Sequence, residues 1–210
     1  MKHNKFYLVF WVAVLLLVGL SKAYFVEANQ DVTKKLIKDL ESRDWKIRDN
    51  AALVLGNMKS EKAIEPLIRA LRKECILYKQ DEHKEDVIRS YVLSLAGIGK
   101  QAIPVLKPYL SDKNKDVRQW VTIALGYLGE KQVVDDLITI LKKGESGRQR
   151  SLAANALGGL GDRRAIPALK AALDDPFAIW VGRDIRILLV RESAKSALNQ
   201  LGEEWDESKK

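Results

Sequence analysis

Five arginines, Arg48, Arg89, Arg118, Arg150 and Arg191, stand 41, 29, 32 and 41 residues apart, and the residues that follow each of them repeat. Eight positions on come Gly56, Gly97, Gly126, Gly158 and Asn199. Three positions on come Ala51, Val92, Val121, Ala153 and Ala194, and seven on come Leu55, Ala96, Leu125, Leu157 and Leu198. Apolar positions at offsets −1, 3, 7 and 10 fall on one stripe of an α-helix. A unit of about thirty residues with a single greasy stripe cannot bury that stripe alone. Its neighbours must do so, which restricts the chain to a stacked helical array.

Upstream of each arginine lies a second apolar helix, as in Ile64-Leu67-Ile68-Leu71 and Val133-Val134-Leu137-Ile138-Leu141. Pro66, Pro104 and Pro167 fall in the first turns of these helices, where a missing N–H is harmless. The unit is therefore a helical hairpin. Gly129, Gly161 and Gly202, at offset 11, fit a left-handed C-terminal cap. The glycine at offset 8 lies inside the second helix and costs about 0.5–1 kcal/mol against alanine there, so close approach of a neighbouring helix is expected to compensate. Repeats two and five are longer than the others between their helices, over 73–87 and 175–189.

The stretches "DWKIRDNAALVLGNM" (44–58), "DVRQWVTIALGYLG" (116–129) and "RSLAANALGGLGDRRAIPAL" (150–169) resemble HEAT-like repeats, in the short bacterial form also found in phycobilisome lyase subunits. The resemblance implies an all-α fold, a right-handed α-solenoid (α-α superhelix) of about five HEAT-like hairpins over 24–202, closed by a polar tail at 203–210. It also implies a scaffold that binds a protein or peptide partner on the inner face of its second helices. A lyase-type or cofactor-handling enzyme subunit on the same scaffold is the alternative. Deoxyhypusine hydroxylases of this repeat class hold iron with His-Glu pairs; no His-Glu dipeptide occurs here, and that activity is not carried over.

The first 23 residues obey different rules. Lys2 and Lys5 precede an uninterrupted apolar run from Phe6 to Leu20, followed by Ser21-Lys22-Ala23. This is the layout of a secretory signal with cleavage after Ala23. An uncleaved anchor competes with it, although 15 apolar residues fall short of the roughly 20 needed to span a bilayer unaided. Either way the repeats are expected outside the cytoplasm, periplasmic or secreted, touching the membrane only through that segment. The net charge of +8 falls to +5 without Lys2, Lys5 and Lys22, and no basic block stands out. A solvated surface is expected and nucleic acid is not. Cys75 is the lone cysteine, expected as a small buried apolar residue.

The arginines lie beside the buried stripe and read as a structural ladder to carboxylates or carbonyls in the turns between helices. Offsets 2, 5 and 9 point away from the stripe. There the middle repeats place Tyr91, Trp120, Ile123, Tyr127 and Leu152, expected as anchors of a binding face. Phe177, Ile179 and Trp180 in the second insertion are expected to pack between the extended helices. His83 amid Asp81, Glu82, Glu85 and Asp86 reads as a charged helix start, with no metal site expected. No constellation suggests a nucleophile, so neither catalytic residues nor a cofactor are expected.

Overall fold

The computed structural model describes residues 29–77, 83–181 and 185–203; the leader over 1–23, the first residues assigned to the solenoid and the tail after 203 lie outside them. Residues 29–39 form α1. It is followed by α2 (Trp45–Asn57), α3 (Ile64–Leu77), α4 (Lys84–Ile98), α5 (Ile103–Leu106), α6 (Lys115–Tyr127), α7 (Val134–Lys143), α8 (Gly147–Leu160), α9 (Ile166–Ala172) and α10 (Leu189–Gln200). A single 3-10 turn introduces α3, α5, α7 and α9, each turn ending on a buried residue: Ala63, Ala102, Val133 or Ala165. Five helical hairpins result. Among the described residues the one departure from helices and turns is a small antiparallel hairpin of β1 (Ile179–Val181) and β2 (Ile185–Ile187) in the fifth repeat, pairing Ile179 with Ile187, Trp180 with Arg186 and Val181 with Ile185.

Local chemistry sets the boundaries. Asp44, Asn114 and Ser146 cap α2, α6 and α8, their side-chain oxygens accepting from the backbone N–H of Lys46 (2.9 Å), Val117 (3.2 Å) and Arg148 (3.1 Å). After the second helices, Gly129, Gly161 and Gly202 take φ of 89°, 70° and 74°, as offset 11 requires, while Lys59 holds the same turn at φ 49° in the first repeat. In the third repeat the first helix breaks after Leu106 into a 3-10 segment, Lys107–Ser111. Pro108 has no N–H to return to residue 104, which ends the α-helical ladder there.

The second helices pack side by side, α2 on α4, α4 on α6, α6 on α8 and α8 on α10, with the first helices as an outer row. The offset-8 glycines make this spacing possible. A Cβ on Gly56 would lie 2.6 Å from Ser94 Cα, and one on Gly158 would lie 2.8 Å from Ala197 Cα. Ser94 uses the closeness to donate its hydroxyl to the Ala52 carbonyl at 2.7 Å. The conformational cost of a mid-helix glycine is thus offset by backbone-to-backbone packing that a side chain would prevent.

The arginine ladder closes the hairpins from the other end. Arg118 Nη1 donates to the carbonyls of Asp112 (2.6 Å) and Lys113 (3.1 Å), and Arg150 Nη1 to those of Gly144 (2.8 Å) and Glu145 (3.4 Å). Arg48 does the same to Ser42 and Arg43 and also forms a two-pronged ion pair with Glu74, both side chains being buried. Arg150 pairs in the same way with Asp175, tying the fourth repeat to the fifth. Insertion alters the pattern in repeat two: the residues six and five before Arg89 are already entering α4, and Arg89 is exposed.

Two outcomes test this packing. Gly158→Ala should lower stability by about 1–3 kcal/mol through overpacking, whereas Gly159→Ala, where a Cβ meets nothing within 4 Å, should raise it by about 0.4–1 kcal/mol; urea midpoints of the two variants check the opposite signs. Arg48→Ala should cost about 3–5 kcal/mol by stranding the Glu74 carboxylate, and Arg48→Met combined with Glu74→Leu should recover most of that loss in the same assay.

Candidate functional site

The five residues expected on the inner wall are brought together, but as core. Tyr91, Ile123 and Trp120 are 0–1% exposed, Leu152 is buried, and Tyr127 is half-buried at the edge of the same cluster. The expectation of an exposed aromatic face is therefore corrected. The reason lies in the stacking. A helix between two neighbours is covered on three sides, and offset 2 turns toward the preceding second helix rather than toward solvent: Tyr91 sits by Arg48 of repeat one and its partner Glu74, and Ser193, in the same column, shares a 2.8 Å hydrogen bond with Ser151 of repeat four. Burial pushes the Tyr91 phenol well above its ordinary range. Curvature adds to the effect. Arg148 of α8 reaches Asp86 of α4 at 3.0 Å, across the intervening α6 that carries Trp120.

What stays open on the inner wall is a cleft of about 380 Å³ over α6, α8 and α10, lined by Tyr127, Asn155, Ala156, Gly159 and Gln200 with Gly126 and Gly129. Tyr127, Gly159 and Gln200 stand at offset 9 and Asn155 at offset 5, so the outward columns do line an open cleft, at their small and polar members. Burial raises the pKa of the Tyr127 phenol above its ordinary value, against the opposing influence of the nearby Asn155 side chain. No carboxylate, imidazole, ammonium or thiol lines this cleft. Its groups are amides and a phenol, which both donate and accept hydrogen bonds without charge.

Other sequence candidates resolve as structure. Phe177 wedges its ring against Gly147, where a Cβ would lie 1.9 Å from the ring, and Leu189 N–H donates to the Phe177 carbonyl at 3.1 Å. Trp180 does not pack as expected: it is 65% exposed on the β-hairpin, as three-residue strands have no other layer to cover them. His83 stacks on Trp45 with ring centroids 4.0 Å apart. Cys75 is buried and its thiol is pushed up to about 12 by desolvation, which makes it an inert apolar residue. Among the described residues no group of three or more His, Cys, Asp or Glu is placed to hold a metal, and no helix is long and apolar enough to cross a membrane.

Stacked hairpins with an inner wall and outer row define an α-solenoid scaffold. The chain belongs to the HEAT repeat family: the model of HEAT repeats matches residues 76–153 and 103–199, and that of the PBS lyase HEAT-like repeat matches residues 47–73. Among solved structures it is similar to the complex of CpcE and CpcF of phycocyanin lyase from Nostoc sp. PCC7120, at 23% identity and a TM-score of 0.46, over 81% of this chain and 66% of that one. It is also similar to human deoxyhypusine hydroxylase in complex with glycerol, at 19% identity and a TM-score of 0.35, over 80% of this chain and 73% of that one. The chain spans 66% of the length of the lyase chain it matches. No curated protein matches it in sequence.

Because Trp120 is core, Trp120→Ala should destabilise the chain by about 3–5 kcal/mol. Gln200→Ala, at an exposed site, should stay within about 0.5 kcal/mol. Denaturant unfolding followed by far-ultraviolet circular dichroism reads both; an unchanged midpoint for the tryptophan variant would return that residue to the surface.

Proposed function

We propose that the chain is an exported, non-enzymatic scaffold that holds an extended segment of a protein partner in the inner-wall cleft of repeats three to five. The observation that carries this reading is the chemistry of the cleft lining. Asn155, Gln200 and Tyr127 line it beside Gly126, Gly129 and Gly159, and their amide and hydroxyl groups can both donate to and accept from a peptide backbone. The cleft is shallow and open toward the exposed Gly159, where a Cβ would meet nothing within 4 Å, so a chain can cross it rather than being swallowed by it. An uncharged lining supports binding over acid–base or nucleophilic work, which needs a titratable group near its working pH. Support for export comes from the sequence alone, from Lys2 and Lys5 ahead of the apolar run 6–20.

Selection of a random peptide library on the immobilised chain tests the reading. Enriched peptides should bind at least 10-fold more weakly to the Asn155→Ala, Gln200→Ala double variant and be indifferent to Trp180→Ala, with melting temperatures unchanged. A library that yields nothing, or binders insensitive to the double variant, removes the cleft as the docking place. A bound pigment or cofactor retained through native purification would favour the lyase-type alternative instead.

A further inference from the structure

The first helical hairpin exposes positions that every later hairpin buries. Four residues before Leu36, Leu67, Leu106, Leu137 and Leu169, one column runs Val32, Ala63, Ala102, Val133 and Ala165; Val32 is 48% exposed and the other four at most 1%. In the second helices the column just before the arginines runs Ile47, Ile88, Val117, Gln149 and Val190; Ile47 is 44% exposed and the others at most 3%. Repeat five has no described hairpin after it and still buries Ala165 and Val190, so the cover comes from the hairpin before. Repeat one lacks that cover among the described residues.

The arc of α2 turned to the missing neighbour is free of charge. Where α4 and α10 meet the preceding second helix they use offsets 2, 5, 6 and 9, as Tyr91, Ser94, Ala197 and Gln200 do. In α2 these offsets carry Asn50, Leu53, Val54 and Asn57, of which Asn50, Leu53 and Asn57 are exposed. The opposite end of the stack is built otherwise. Offsets 1 and 4, which face the following helix at Asp49 and Ala52, carry Glu192 and Lys195 in α10, paired at 3.4 Å, and Lys170 of α9 pairs with Glu203 at 3.0 Å. An apolar edge laid on that charged one would desolvate ions without giving them new partners, which disfavours a head-to-tail row of copies. Two uncharged edges facing each other desolvate none, and a twofold axis closes the pair. An edge two helices wide measures about 20 Å by 20 Å, a seam at the small, reversible end of specific interfaces.

We propose that two copies of the chain pair through the free edges of α1 and α2, burying Val32, Ile47 and Leu53 about a twofold axis. The inner-wall clefts of repeats three to five then lie toward the two outer ends of the assembly, both open.

The chain to test is the form that a bacterial host delivers, leader kept or removed, in a density-matched detergent where it is kept. Sedimentation velocity between about 1 and about 200 µM should show a reversible equilibrium of monomer and dimer. Ile47→Asp should weaken the dimer at least 10-fold; an acid in the first turn suits the helix dipole, so far-ultraviolet circular dichroism and melting should not change. Ile185→Asp, on the exposed β2 of repeat five, should leave the equilibrium as it is. Leu53→Cys adds an exposed thiol to a chain whose own Cys75 is buried, and maleimide should alkylate it at least 3-fold more slowly at dimeric than at monomeric concentrations. A chain that stays monomeric throughout, or a dimer untouched by Ile47→Asp, overturns the pairing. Slow alkylation at every concentration overturns it in favour of a cover supplied by residues before α1, and protection by a different co-purifying polypeptide assigns the edge to that partner instead.

Discussion

Everything in this fold depends on how closely its second helices approach one another. Gly56 and Gly158 bring backbone to backbone at distances where any Cβ would collide with Ser94 or Ala197. Dispersion contacts are gained along each such seam, and neighbouring repeats are fixed at one spacing instead of sliding. The outer row has no comparable column of glycines, and its helices touch one another much less than the second helices do. A row spaced tightly on one side and loosely on the other must bend, with the second helices on the concave side. The Arg148–Asp86 contact, made across an entire intervening helix, is the consequence of that bend.

Curvature then decides which residues count as surface, and it explains what was legible in the sequence. The hairpins, their stripe, the terminating glycines and the arginine ladder depend on neighbours a few residues away or one repeat away, and a period of about thirty residues exposes such relations directly. Arg118 and Arg150 bond the carbonyls five and six residues before them, a geometry that their place at the start of each second helix dictates. Exposure of Tyr91, Trp120, Ile123 and Leu152 depended instead on the angle between repeats. No single-helix wheel contains that angle. A wheel treats the helix as having one neighbour, and under that assumption offsets 2, 5 and 9 are open together; with a neighbour on each flank, only part of that arc survives.

The insertions show the same division. Repeats two and five are both longer between their helices, but one lengthens α3 to Leu77 while the other forms β1 and β2 on a base made by Phe177, Gly147 and the Arg150–Asp175 pair. The difference follows from composition. Residues 73–77 continue a helical pattern of Lys, Glu, Cys, Ile and Leu, whereas "PFAIWVGRDIRILL" opens on proline and is rich in isoleucine. Trp180 ends exposed because a two-stranded ribbon has one face to spare and no helix to cover it.

The location of the cleft follows from side-chain volume along the inner wall. Read in chain order, offsets 2, 5 and 9 carry Tyr91, Ser94 and Ile98, then Trp120, Ile123 and Tyr127, then Leu152, Asn155 and Gly159, then Ser193, Ser196 and Gln200. Large rings fill the wall in the middle repeats, where Tyr91 and Trp120 are buried. Toward the carboxyl end the same columns shrink to amides, serines and glycine while the backbone path keeps its curvature. Space that Tyr127 takes at offset 9 in one repeat is left vacant at Gly159 in the next, where a Cβ would meet nothing within 4 Å, and the cleft there is lined by Tyr127, Asn155 and Gln200. Stability and an open cleft thus come from one set of positions, divided by residue size: large apolar groups consolidate the centre of the wall, and small polar ones open its end.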